Sequence, residues 1–363
     1  MAEKTQKETV EKLEEFGKQL MEQVEKGEAP SFQIPSRTRS NVEFDEKTEI
    51  VDITGKKSTR SFINASHVRK FMQTLLVAKA AREYIENDRT VGKRELYYNL
   101  KHKLPGTNKN TWEDDDESSA VIDDIEAMLN IPRSKLNIGA KKRGSVYGDI
   151  TIKQAGDEFS CKELGKGGWS IPGNVEDVEI VDYDAERIIF IENDAMQSRL
   201  IEEEAYESLD SLLVTGEGVP PRGVRRFVNR LQKETGLPVI VFVDGDPYGF
   251  YIHSVIKHGS MQLAHINKRY AIPEAKYIGM TMDDIDRYDL QNVTENLGEG
   301  ARKKLEHNLN YEWFQHHPEW VKQMKKMKKK GVRIEQQALA NKSLEFVAEK
   351  YLPEKIENKE FLP

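Results

Sequence analysis

The chain has 363 residues, a formal net charge of −7, 37% hydrophobic and 32% charged residues, enough at roughly 100–200 residues per domain for two or three domains with cores that need no disulfide or metal staple. A mean hydropathy of −0.69 and the lack of any apolar run near the roughly 18–20 residues of a membrane-spanning helix exclude that class. The polar start MAEKTQKETVEKLEE does not read as a secretory signal, and the lone Cys161 excludes a disulfide framework or a CxxC zinc site; the expectation is a soluble, cytoplasmic protein of a reducing compartment.

Residues 1–30 predict a Glu/Lys-rich helix with Val10, Leu13, Phe16, Leu20 and Val24 on one stripe. The stripe is either core or a docking face for a partner, because it opens the chain and a Pro-containing stretch, APSFQIPSRTRS, follows it. Residues 41–60 alternate like a short hairpin or extended arm, so residues 1–65 form a first region. From Ser66 the pattern turns helical through HVRKFMQTLLVAKAAREYIEND, TVGKRELYYNLKHKL and ESSAVIDDIEAMLNIPRSKLNI, then alternates in KKRGSVYGDITI. Three helices and a Gly-turned ribbon are the order of a winged-helix module over 66–155, although other small α+β domains share it.

After about residue 175 two short apolar runs, RIIFIENDA (187–195) and LPVIVFVDGDPYG (237–249), each end in acids and alternate with helix-like segments. Buried strands alternating with helices predict a mostly parallel α/β sheet over 175–363. A third run, AKYIGM before TMDDID, fits another strand-to-helix unit, and the C-terminus closes with one or two helices. The His316–His317 pair reads as a helix-end feature in preference to a metal site.

Positive charge is concentrated locally despite the negative total. Residues 69–109 carry ten Lys/Arg against four acids, residues 302–333 ten against three, and Arg222, Arg225, Arg226 and Arg230 stand in a stretch free of acids. Each run alone fits a solvated helix face; beside a catalytic site, such patches hold phosphate backbone.

Ligands of an open α/β sheet bind at the carboxyl ends of its strands, where Glu192, Asp244 and Asp246 stand. Hard carboxylate donors without His or Cys suit Mg²⁺, and in an extended DGD segment Asp244 and Asp246 face the same way. An isolated DxD is also a common solvated turn. The segment KRELYYNLKH (93–102) places Arg94 and Tyr98 at i and i+4 of a helix, where a guanidinium can stabilise a phenolate and contact the phosphate it attacks. The alternative is a Tyr–Tyr pair packing into a core, and at most one of Tyr97 and Tyr98 can face a groove, since neighbours lie about 100° apart. No GxxxxGK[ST] loop, HExxH or GxSxG elbow is present.

The ordered set RELYYNL, FIENDA, GVPPRGVRRFV and VFVDGDPYGFYI resembles the catalytic chains of archaeal-type DNA topoisomerase VI, its A subunits, and the meiotic protein that makes recombination-initiating breaks, over roughly residues 66–350. The resemblance implies a CAP-like winged-helix domain followed by a Toprim domain. Tyr98 matches the family's nucleophile, Arg94 its active-site arginine, Glu192 the Toprim glutamate, and Asp244 and Asp246 the DxD pair. It implies Mg²⁺ as cofactor, double-stranded DNA as substrate, a homodimer in which one protomer's tyrosine meets its partner's metal site, and an ATPase B subunit completing an A2B2 heterotetramer and meeting the N-terminal region. The expected activity is a tyrosine-dependent double-strand break with religation, as in a type IIB topoisomerase acting at the nucleoid. The alternatives are a Toprim nuclease that uses water, a break-forming recombination protein without strand passage, and a non-catalytic DNA binder. Many relatives carry Lys after the Toprim glutamate, where this chain has Asn193.

Overall fold

In the computed structural model, residues 2–139 and 142–363 are described; they form two units, Met1–Glu43 with Asp52–Lys141 and Met261–Ile266, and Phe44–Val51 with Lys142–Ser260 and Asn267–Pro363. In the first unit the helix Ala2–Glu25 turns Leu13, Phe16 and Leu20 into a core shared with Phe32, Phe71, Leu96, Trp112 and Ile122. Phe16 meets Phe32 edge-on at 5.3 Å, and Phe32 lies 5.1 Å from Phe71. The N-terminal stripe is therefore largely core, with only its end, Val24, exposed. Strands Ser31–Pro35 and Lys57–Ser61 pair antiparallel, and the segments 42–45 and 50–53 form a second two-stranded ribbon. The first unit thus absorbs most of the region 1–65 that the sequence set apart.

Three helices follow as expected: Val68–Glu86, Lys93–Leu100 and Asp115–Leu129. The last starts at Asp114, whose carboxylate accepts from the Glu117 N–H, and the acidic run 113–117 supplies the first-turn charge that a helix N-terminus favours.

The ribbon KKRGSVYGDITI (141–152) corrects the sequence reading; its first residue, Lys141, lies outside the described residues. It belongs to the second unit. Ser145–Tyr147 pairs antiparallel with Ser211–Thr215, while Ile150–Gln154 pairs with Asp157–Ser160 and Glu179–Tyr183 in a separate three-stranded sheet. Gly148, at φ +129°, makes the switch between sheets: a side chain there would start 3.0 Å from the Ser211 carbonyl oxygen. The boundary after the three helices therefore falls near 141 and not at 155.

The second unit is built on a six-stranded sheet in the order Trp169–Ser170, Ser145–Tyr147, Ser211–Thr215, Arg187–Ile191, Val239–Phe242, Lys276–Gly279. The last four strands run parallel. Their side chains are almost all buried, which explains continuous apolar runs where a half-exposed strand would alternate. Helices Asp194–Glu202, Arg222–Thr235, Pro247–Lys257 and Met282–Arg287 follow these strands. The strand Ser211–Thr215 was not anticipated. Among the described residues no helix is long and apolar enough to cross a membrane.

Candidate active site

Strand Arg187–Ile191 ends one residue before Glu192, and strand Val239–Phe242 two residues before Asp244, so both acids stand at the carboxyl edge of the parallel sheet. Glu192 Oε2 accepts from the Asp244 N–H at 2.9 Å, Asp244 Oδ1 from the Gln336 N–H at 2.8 Å, and Asp246 Oδ1 from the N–H groups of Tyr248 and Gly249 at 2.8 and 2.7 Å. Asp246 is thereby the N-cap of helix Pro247–Lys257. Each carboxylate has one oxygen held by backbone. Gly245 is required by close approach: a Cβ there would sit 2.7 Å from the Ile334 side chain and 2.8 Å from the Met280 carbonyl oxygen.

Burial, and then the negative charge of the neighbouring acids, pushes Glu192 well above the carboxylate range; burial also raises Asp244, with Asp246 and Glu335 adding to the effect. Burial raises Asp246 against the pull of its two backbone donors. Crowded, buried acids with backbone-fixed oxygens are donors that a bound cation would stabilise. Oxygen-only donors suit Mg²⁺, which keeps several waters.

The segment after Gly331 completes this edge and was missed by the sequence reading. Gln336 donates through Nε2 to the Phe242 carbonyl at 3.0 Å, and Arg333 Nη1 lies 3.5 Å from Asp246 Oδ2. Arg333 was counted only as the end of a basic run; the short alternation Val332–Ile334 after Gly331, the helix C-cap, was its available signal. Asn193 caps helix Asp194–Glu202 by accepting from the Met196 N–H at 2.8 Å, and donates to Gln336 Oε1 at 3.4 Å.

In the first unit, Arg94 and Tyr98 lie on helix Lys93–Leu100, which Glu95 tightens by accepting from the Gly92 N–H at 3.3 Å. The tyrosines separate as neighbours on a helix must: Tyr97 is buried and Tyr98 is 59% exposed, with ring centroids 5.0 Å apart. Arg94 is on the same helix, one turn before Tyr98. Lys101, also missed, stands 4.8 Å over the Tyr97 ring and donates to its hydroxyl.

The four arginines expected to hold duplex backbone need correction. Arg225 is 5% exposed, with its guanidinium 5.6 Å from the Tyr270 ring centroid. Arg226 grips Glu176 through two nitrogens at 2.7 and 3.1 Å, and Arg230 pairs with Glu234 at 2.8 Å and donates to the Val175 carbonyl. Those three tie helix Arg222–Thr235 to the 175–176 segment and to Tyr270, and Arg222 is half-buried at its start. Lys322, Lys325 and Lys329 line a groove on helix Pro318–Lys330.

A buried parallel sheet with acids at its carboxyl edge, and a separate helical unit exposing a tyrosine one turn from an arginine, define a Toprim-type DNA-cleaving enzyme. Residues 187–356 match the model of the Toprim domain of Spo11 and the topoisomerase 6 A-type chain, 69–138 that of type IIB DNA topoisomerase, and 142–184 that of the all-beta domain in the DNA topoisomerase VI alpha subunit. The A subunit of type 2 DNA topoisomerase 6 from Pyrococcus horikoshii is 46% identical over 97% of this chain and 94% of its own length. The proteins of that name from Hyperthermus butylicus and Methanothermobacter thermautotrophicus are 36% and 35% identical, over 95% and 96% of this chain and 93% and 97% of their own lengths. The chain belongs to the topoisomerase 6 A-subunit family, the DNA-cleaving subunits of type IIB DNA topoisomerases.

Proposed function

We propose that this protein breaks both strands of duplex DNA by transesterification, with Tyr98 as nucleophile and Arg94 as its electrostatic partner, and reseals them after strand passage. The observation that carries the reading is the exposure of Tyr98 one helical turn from Arg94, while its neighbour Tyr97 is locked in the core. The phenolate oxygen of Tyr98 attacks the scissile phosphorus, the bond from phosphorus to the 3′-oxygen breaks, and that oxygen leaves as a hydroxyl after taking a proton. The product is a 5′-phosphotyrosyl end. One ester replaces another, so religation needs no new bond energy. Arg94 offers a planar donor pair to the phosphate and positive charge to the phenolate.

Glu192, Asp244 and Asp246 would hold Mg²⁺, which when bound supplies charge neutralisation at the phosphate and at the departing oxygen. The backbone bonds to one oxygen of each acid fix the direction of the other, and Arg333 balances Asp246.

The domains proposed are a CAP-like winged-helix module carrying Tyr98, supported by its three helices, and the Toprim unit. The proposed assembly is an A2B2 heterotetramer with an ATPase B subunit, built on a homodimer of this chain and acting on nucleoid DNA. An apolar groove of about 770 Å³ between helices Ala2–Glu25 and Val68–Glu86, lined by Leu13, Phe16, Phe62, Phe71 and Leu75, supports docking of the B subunit there.

The test is relaxation and decatenation by this chain with its B subunit, ATP and Mg²⁺, in wild type and Asp244→Ala. Closed, relaxed circles from wild type and loss of at least about a hundredfold in rate with Asp244→Ala are expected. Open linear product that never recloses would instead identify a hydrolytic nuclease.

A further inference from the structure

The second unit contains a cluster that the DNA-cleaving reaction does not use. Among the described residues, Glu49, His316 and His317 are the one trio of His, Cys, Asp or Glu whose ligand atoms all lie within 4.8 Å of one another. His317 Nε2 is 3.5 Å from Glu49 Oε1, is shielded from solvent and has no hydrogen-bond partner. His316 is exposed at the end of helix Glu312–Gln315, and His317 stands at the N-cap position of helix Pro318–Lys330 without a side-chain bond to it. The two imidazoles thus stand at a corner between helices, while Glu49 arrives on a separate loop at φ +52°.

We propose that Glu49, His316 and His317 bind a divalent transition-metal ion of the zinc class. Two imidazoles and a carboxylate are the donors such an ion selects over Mg²⁺. A tetrahedral ion at about 2.0–2.1 Å from its ligands holds them roughly 3.3 Å apart, close to the Glu49–His317 spacing; the exposed His316 ring closes the remainder by rotation, and water takes the fourth position.

The surroundings are those of a supported site. His258 Nδ1 lies 2.7 Å from the Glu49 carbonyl oxygen. Phe44 packs edge-on against both His258 and His316, at 5.2 and 5.5 Å. Lys257 holds the other carboxylate oxygen of Glu49 at 3.0 Å, which leaves Oε1 directed at His317. The bound ion would pin the Phe44–Val51 segment to the corner between the two helices, so its role is structural.

The test uses full-length chain stripped with chelator and then held in excess Mg²⁺, which occupies the carboxylate-only site. Titration with Co²⁺ should give the strong visible absorption of a four-coordinate ion with nitrogen ligands, saturating at one ion per chain and displaced by Zn²⁺. Zn²⁺ should also raise the melting temperature. In His316→Gln/His317→Gln, and separately in Glu49→Gln, affinity should fall at least tenfold and the Zn²⁺-dependent melting shift should disappear, while Mg²⁺-dependent DNA cleavage persists. Weak six-coordinate absorption only, or Co²⁺ affinity unchanged in both variants, would overturn the proposal.

Discussion

Glu176 shows how a single side chain decides what a basic run is for. Burial would raise its pKa, but the hydrogen bonds and charges of Arg226 and Arg269 outweigh that and hold it at about 2. A depressed carboxyl stabilises the folded state above its unfolded pKa near 4.5 and loses that contribution as the pH falls through about 2. Glu176→Gln is therefore expected to cost roughly 1–3 kcal/mol at neutral pH, after allowance for partial exposure. The cost should shrink progressively below about pH 4.5, and urea unfolding at about pH 7 and about pH 3 measures it. An equal loss at both values would remove the ion-pair explanation. In the sequence, Arg226 was indistinguishable from a phosphate ligand, because its acid partner lies 50 positions away. Glu192, Asp244 and Asp246 were easier to read, since a strand end fixes where a following acid must stand; their backbone donors, contributed partly by Gln336, were not visible.

Among elements, long amphipathic patterns translated directly into helices and short ones did not reveal their partners. The stripe on Ala2–Glu25 gave a helix, but whether it faced a core or a partner depended on Phe32 and Phe71, which the spacing alone could not supply. Since Phe16 is buried against them, Phe16→Ala is expected to destabilise the first unit by about 3–5 kcal/mol, seen as a lower denaturation midpoint at unchanged secondary structure. A cost below about 1 kcal/mol would mean that Phe16 is not part of that core. The strand Ser211–Thr215 was missed because its five residues follow a helical segment without a Gly or Pro break. The ribbon KKRGSVYGDITI was assigned to the wrong unit because alternation identifies a strand without naming the strand it pairs with.

At the scale of the molecule, a net charge of −7 conceals a division of labour. Many cations of the basic runs neutralise acids within their own unit: Lys326 pairs with Asp283, Lys330 with Asp286 and Lys328 with Glu306. At the sheet edge stand buried acids whose carboxyls burial raises above their ordinary range. The central claim, that an exposed tyrosine of one unit performs the chemistry those acids support, is tested by trapping the broken state. The chain is mixed with its ATPase B subunit, supercoiled plasmid, Mg²⁺ and a nucleotide analogue, then quenched with detergent. Wild type should yield linear DNA with protein on its 5′ ends, and Tyr98→Phe should yield none while keeping its fold and its Mg²⁺ binding. Protein-linked ends persisting in Tyr98→Phe, or free 5′ ends from both proteins, would contradict the account.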